Sequence, residues 1–237
     1  NWTSTLNWSK DNSKVVSLTD GLDTYTISSL WDFYCYAKVG ETWGTLYGAG
    51  MKRDSQGRIV IGSNGLPILV DGQKLGSVAP DWLAGWNNEL SYKNFSFGFL
   101  LDYRKGGVFA STSQMFSSYS GQAYYTAAVK NDGTNIRETG VVVGKDVLSG
   151  QTCVTEDGTV NTKTVSAQDW FHSYQNNKEL DICDGSYLKL REMHLTYTFP
   201  KEIIDKTKFL KSARLSLVGN NIAILWLSSR NYFKIDP

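Results

Sequence analysis

Two histidines, His172 and His194, are the only imidazoles available for acid–base chemistry in this 237-residue chain. His194 falls on the polar side of an alternating run, where a place in a side-chain network suits it better than catalysis. A Ser-His-Asp site needs a nucleophile raised on a sharp turn, and no Gly-x-Ser-x-Gly element is present. Glu89 and Glu192 have the chemistry of a glycosidase acid and base, yet nothing in the sequence puts them together. The Gly-rich stretches match neither a P-loop nor a dinucleotide fingerprint. Asp71 and Asp81 lack the close neighbours of a calcium loop. Cys35, Cys153 and Cys183 stand at spacings that define neither a zinc site nor a disulfide framework, although a Cys153–Cys183 bridge stays open. Net charge is +1 with no long basic run, so a nucleic-acid partner has no support. The chain therefore reads as a non-enzyme without metal or cofactor.

What the sequence has in quantity is alternation. Eight Trp, 13 Tyr and 10 Phe make 13% of the chain, and many recur at every second residue. In Asn1–Ser9, Trp2, Ser4, Leu6 and Trp8 oppose a wholly polar set. Ser28–Val39 and Thr45–Arg53 read as two further strands around a turn at Gly40–Gly44. The clearest signal is Pro80–Gly106. Trp82, Trp86 and Tyr92, then Phe95, Phe97, Phe99, Leu101 and Tyr103, share one face, broken only by Asn88. Glu89, Asp102 and Arg104 share the other, and Lys93-Asn94 makes a two-residue hairpin turn. Gly185–Pro200 is about a dozen residues of strand composition. Within it Leu188 and Leu190 are out of phase with Leu195 and Tyr197, which predicts a bulge near Arg191-Glu192. Ala213–Leu225 is the last strand, after a short helix or turn at Pro200–Lys211. These make about seven antiparallel strands and an all-β class. Asp54–Val78 reads as a surface loop carrying small hairpins. Gly106–Asp184 is too long to be an idle connection. Ser166 with Asp169 suggests a capped helix there, whose Trp170, Phe171 and Tyr174 either pack the loop onto itself or meet a substrate or partner. No apolar run approaches the roughly 20 residues of a membrane-spanning helix.

The run Tyr187-Leu188-Lys189-Leu190-Arg191-Glu192, leading to Thr196-Tyr197-Thr198-Phe199-Pro200, resembles the C-terminal part of the SusC/RagA-like family of TonB-dependent outer-membrane transporters. Other motifs follow in that family's order: Val39-Gly40-Glu41 through Tyr47-Gly48, Pro80-Asp81-Trp82, Tyr92-Lys93-Asn94-Phe95 and Gly219-x-Asn221. The resemblance is weakest in Ala110–Lys163. It implies a section of a roughly 22-stranded transmembrane β-barrel, with the plug domain and the final closing strand absent. It also implies import of oligosaccharides or peptides across the bacterial outer membrane, driven through TonB beneath a SusD-like lipoprotein lid.

On that reading Trp82, Trp86, Phe95, Phe97, Phe99, Leu101 and Tyr103 face lipid, and Glu89, Asp102, Arg104 and His194 face the lumen. Trp170, Phe171 and Tyr174 become candidates for substrate or lid contact. The short connections Gly40–Gly44, Lys93-Asn94 and Pro200–Lys211 would be periplasmic and the long ones extracellular. The rival readings are a secreted, aromatic-rich β-sandwich that binds glycans and a glycan-cleaving enzyme.

Overall fold

A computed structural model describes residues 1–144, 152–207, 209–231 and 233–237. Strand β1 (Trp2–Ser9) leads into a first insertion, residues 10–81. It carries β2 (Thr24–Leu30), β3 (Phe33–Lys38), β4 (Thr45–Met51), β5 (Ile59–Ile61) and β6 (Leu69–Ser77). The hairpin β7 (Trp82–Tyr92) and β8 (Phe95–Lys105) follows. A second insertion, residues 106–186, contains β9 (Val108–Ala110), α1 (Thr112–Tyr119), α2 (Ile136–Thr139) and β10 (Val141–Val142). It continues with β11 (Cys153–Thr155), β12 (Thr164–Val165), α3 (Ala167–His172) and β13 (Ile182–Asp184). The chain ends with β14 (Tyr187–Thr198), α4 (Lys201–Ile204) and β15 (Arg214–Leu227).

The long strands form one antiparallel sheet in the order β1-β7-β8-β14-β15. Its pairing follows from the turn at Lys93-Asn94, where Tyr92 faces Phe95 and the ladder runs unbroken to Trp82 opposite Lys105. Lys93 takes the left-handed conformation that the tight turn demands, with φ of 51°. The expected bulge is present: the β14 register shifts against both neighbours between Leu190 and Glu192. Arg191 and Glu192 are thereby turned to the same face, and Leu188 and Leu190 rejoin the phase of Leu195.

Two expected wall strands belong elsewhere. Ser28–Val39 is not one strand but a hairpin, β2–β3, broken at Trp31-Asp32, and it joins β4 and β6 in a separate four-stranded sheet. Among the described residues the long sheet therefore has five strands in place of about seven. Ser9 pairs with Leu83, so both ends of the first insertion leave the sheet at one end. Gly40–Gly44 lies inside that insertion and is not a turn of the opposite, Lys93-Asn94 end.

The two insertions fold into one body. Parallel pairing of β5 with β11 joins them, as do Arg53 and Glu179, whose Nη2 and Oε1 lie 2.5 Å apart. Their shared core includes Met51, Ile59 and Ile61 from the first and Val143, Cys153, Trp170, Phe171 and Leu180 from the second. Burying these apolar side chains, at about 1.5–3 kcal/mol each, gives the insertions a stability of their own.

Candidate functional site

The polar face of the long sheet is wired across strands. Glu89 on β7 and His194 on β14 stand two strands apart, yet His194 Nε2 lies 3.1 Å from Glu89 Oε1. They meet because Gly98 on β8 lies between them. A Cβ there would sit 2.4 Å from His194 Cε1 and 2.6 Å from Glu89 Oε1. Glu192 Oε1 approaches His194 Nδ1 at 3.5 Å from the other side, so one imidazole joins the two carboxylates that sequence spacing leaves apart. Farther along, Arg191 Nε donates to Asp102 Oδ2 at 2.7 Å and its Nη2 donates to Tyr187 Oη at 3.0 Å. The Tyr187 hydroxyl donates in turn to Asp102 at 3.0 Å, and Arg191 Nη1 donates to Asn221 Oδ1 at 3.0 Å. Arg104, at the insertion end, donates to the carbonyls of Gly106 and Val78. The register thus places Glu89, Asp102, Arg104 and His194 on one face. Arg191 and Tyr187 escaped sequence reasoning, since only the bulge, itself legible, brings Arg191 to this side. Charges of both signs in fixed pairs make a hydrated, hydrogen-bonding surface. Among the described residues no group of three His, Cys, Asp or Glu side chains could hold a metal ion.

The opposite face is apolar. Trp82, Trp86, Phe95, Phe97, Phe99, Leu101 and Tyr103 share it with Leu195, Tyr197, Leu215 and Leu217. Near the insertions Trp82, Tyr103 and Trp226 stack in a row, with centroid separations of 4.8 and 6.2 Å. At the hairpin end Phe95, Tyr197 and Phe199 form a second row, at 4.8 and 5.2 Å. Trp82 and Tyr92 are ten residues apart, about 33 Å along a strand and about 25 Å along the axis of a barrel tilted by ~40°. The polar residues on this face bond to its own tryptophans, although the Asn88 amide nitrogen is buried without a partner among the described residues. Asn88 accepts from Trp2 Nε1 at 3.2 Å and Ser4 from Trp86 Nε1 at 2.8 Å. Among the described residues no second sheet covers the face, and Leu217 is 76% exposed.

Trp170, Phe171 and Tyr174 require a correction. Ser166 accepts from the Asp169 amide at 3.0 Å and caps α3, as its spacing predicts. The helix, however, turns its aromatics inward: Trp170 and Tyr174 are fully buried and Phe171 nearly so. They cannot meet a lid or substrate, and they hold the two insertions together. Beside them Asp181 is buried, and neither carboxylate oxygen has a hydrogen-bond partner. Burial pushes its pKa up to about 8, offset in part by nearby Lys178. Burial also pushes the Cys183 thiol up to about 12. Cys183 is a free thiol, so it has no bridge to Cys153.

A five-stranded antiparallel sheet, polar on one face and banded with aromatics on the other, is built like a stretch of barrel wall. It does not close on itself, because β1 and β15 are its edges. No protein-family model matches the chain. It is 24% identical over 260 residues to TonB-dependent receptor P3 of Formosa agariphila, a match covering all of the chain and 23% of that protein. TonB-dependent receptor P26 of the same organism is 26% identical over 264 residues, with the same coverage. The chain thus spans about a quarter of the length of these relatives. Among solved structures, the RagAB peptide transporter superposes with a TM-score of 0.52 at 15% identity, covering 96% of this chain and 24% of that one. The RagAB peptide importer in its closed-closed state gives 0.55 at 16% identity, covering 97% and 24%. The chain is thus similar over its whole length to part of these TonB-dependent receptors, and its fold is similar to part of the RagAB transporter.

Proposed function

We propose that the chain forms part of an outer-membrane importer that takes up oligosaccharides or peptides. β1, β7, β8, β14 and β15 are wall strands that run through the bacterial outer membrane. The aromatic face meets lipid, and Glu89, Asp102, Arg104 and His194 line the lumen or its rim. The carrying observation is the aromatic face of β7, about 25 Å high from Trp82 to Tyr92 and closed by an aromatic row at each end, which matches the height of the apolar band of outer-membrane barrels. The Lys93-Asn94 turn and the segment from Pro200 to Lys211 are periplasmic; residue 208 of that segment lies outside the described residues. The fused insertions stand at the cell surface, where they support a SusD-like lipoprotein lid. Energy reaches the importer through TonB, by way of parts of the parent polypeptide outside this chain.

The test is made on the intact receptor in its own cells. It should fractionate with the outer membrane, migrate faster in electrophoresis before boiling than after, and accumulate its nutrient only while TonB is present. Recovery as a detergent-free soluble protein, or uptake indifferent to TonB, overturns the reading.

A further inference from the structure

A cleft of about 590 Å³ opens on the four-stranded sheet of the first insertion, a size typical of small-molecule sites. Tyr34 and Tyr36 lie two residues apart on β3, and Tyr47 faces Tyr34 from β4. All three rings therefore share one side of the sheet, while Phe33, Ala37 and Leu46 are buried on the other. The rings are continuous: Tyr34 and Tyr36 are 5.8 Å apart at 24°, and Tyr36 and Tyr47 are 5.3 Å apart. The Tyr47 hydroxyl donates to Glu41 Oε1 at 2.6 Å, which fixes that ring. Asp32 and Asp71 flank the row, and Asn176 reaches it from the second insertion.

The hairpin tip at the cleft's rim is strained. Trp31 and Asp32 adopt φ of 49° and 61°, the geometry of a two-residue turn that normally takes Asn-Gly. Trp31 is also 52% exposed. A bulky residue held in the left-handed region is a backbone outlier, and here the Trp31 ring packs edge-on against Phe116 of the second insertion, with centroids 5.0 Å apart.

Resting on the importer reading, we infer that this cleft is a subsite for a neutral oligosaccharide. A sugar ring presents flat C–H patches, which lie against phenol rings, and a rim of hydroxyl donors, which carboxylates and amides accept. The lining sets Asp32 and Asp71 against one cation, Lys178, and this net negative balance disfavours uronic or sulfated sugars. An extended peptide would need a run of unpaired backbone to join. The outer edge of β6, beside Leu69, Asp71 and Gly72, is such a run, so the peptide is the competing outcome of the titration, while the flat tyrosine row favours the sugar.

The experiment is calorimetric titration of the intact, detergent-solubilised receptor. The probes are maltohexaose, laminarihexaose, xylohexaose and mannohexaose, with hexaguluronate and Lys-Ala-Lys-Ala-Lys-Ala as acidic and cationic-peptide probes. At least one neutral hexasaccharide should bind, and Tyr36→Ala and Asp71→Asn should each weaken it tenfold or more. Tyr36→Phe should bind far better than Tyr36→Ala. Tyr124→Ala, an exposed ring outside the cleft, should bind as wild type. Equal protease resistance of the insertions in all variants excludes misfolding; a variant that fails this control is replaced by Tyr34→Ala. If only the peptide or hexaguluronate binds, or no probe binds, the sugar assignment is overturned. Neutral-sugar binding indifferent to Tyr36→Ala and Asp71→Asn overturns the cleft, while TonB-dependent uptake, read separately, leaves the importer reading standing.

Discussion

Asp181→Asn should stabilise the fused insertions at neutral pH, the reverse of the usual result for removing a charged group. Asp181 is fully buried, its oxygens have no hydrogen-bond partner, and its carboxyl titrates near pH 8 in the folded state. In the unfolded chain the value is about 3.9. The folded state therefore holds a proton that the unfolded state releases, and stability falls as pH rises between these two values. At about 1.36 kcal/mol per pH unit, wild type at pH 7 has lost on the order of 4 kcal/mol relative to pH 4. The loss is complete just above pH 8. Asparagine has nothing to titrate, so its profile should be flat across this window. Pulse proteolysis of the solubilised receptor in urea, scored by survival of the insertion fragments at pH 5, 7 and 8.5, measures both. The wild-type midpoint should fall across the series and the Asp181→Asn midpoint should hold, crossing above wild type by pH 7. Parallel profiles, or a less stable variant at pH 7, would show that Asp181 works as a carboxylate and refute the argument.

Other outcomes follow from the wall. Phe99→Arg, midway between the aromatic rows, should cost about 2–4 kcal/mol and lower the yield of heat-modifiable receptor, whereas Leu100→Arg on the polar face should be tolerated. Gly98→Ala drives a methyl into the Glu89–His194 contact and should lower barrel stability by about 1–3 kcal/mol. Gly85→Ala, with nothing within 4 Å of its Cβ, should leave the thermal midpoint nearly unchanged. Trypsin added to intact cells should cut at Lys14 or Lys130, both exposed in the insertions, and spare Lys93; cleavage at Lys93 would reverse the assigned orientation.

Much of the wall was legible because its physics is local. The Lys93-Asn94 turn, the paired faces of β7 and β8, the bulge at Arg191 and the cap at Ser166 all follow from period and turn chemistry. The two misplaced strands show where this stops. A half-buried sheet and a barrel wall share the same two-residue alternation, and the Trp31-Asp32 turn is invisible because it lacks Asn-Gly. Length could not warn of it: β2, β3 and β4 have six or seven residues, short of the 9–11 a membrane crossing needs, but Ser28–Val39 and Thr45–Arg53 read as runs long enough to cross. Trp170, Phe171 and Tyr174 were ambiguous for a related reason. Helical spacing shows that aromatics share a side, but not whether another part of the chain covers it. The Glu89–His194 contact was illegible too, since it depends on strand order and on a missing side chain between its partners.

The shared core of the two insertions has an evolutionary and practical consequence. Residues 10–81 and 106–186 are separated in sequence by the β7–β8 hairpin, yet each fills space the other needs. Neither can drift, lengthen or be exchanged alone without exposing Ile59 and Ile61 on one side or Trp170 on the other. A graft meant to transfer nutrient preference between such receptors must move both insertions as one unit. Homologues should gain and lose them in concert, and single-loop chimaeras should fail at folding before they reveal anything about selectivity.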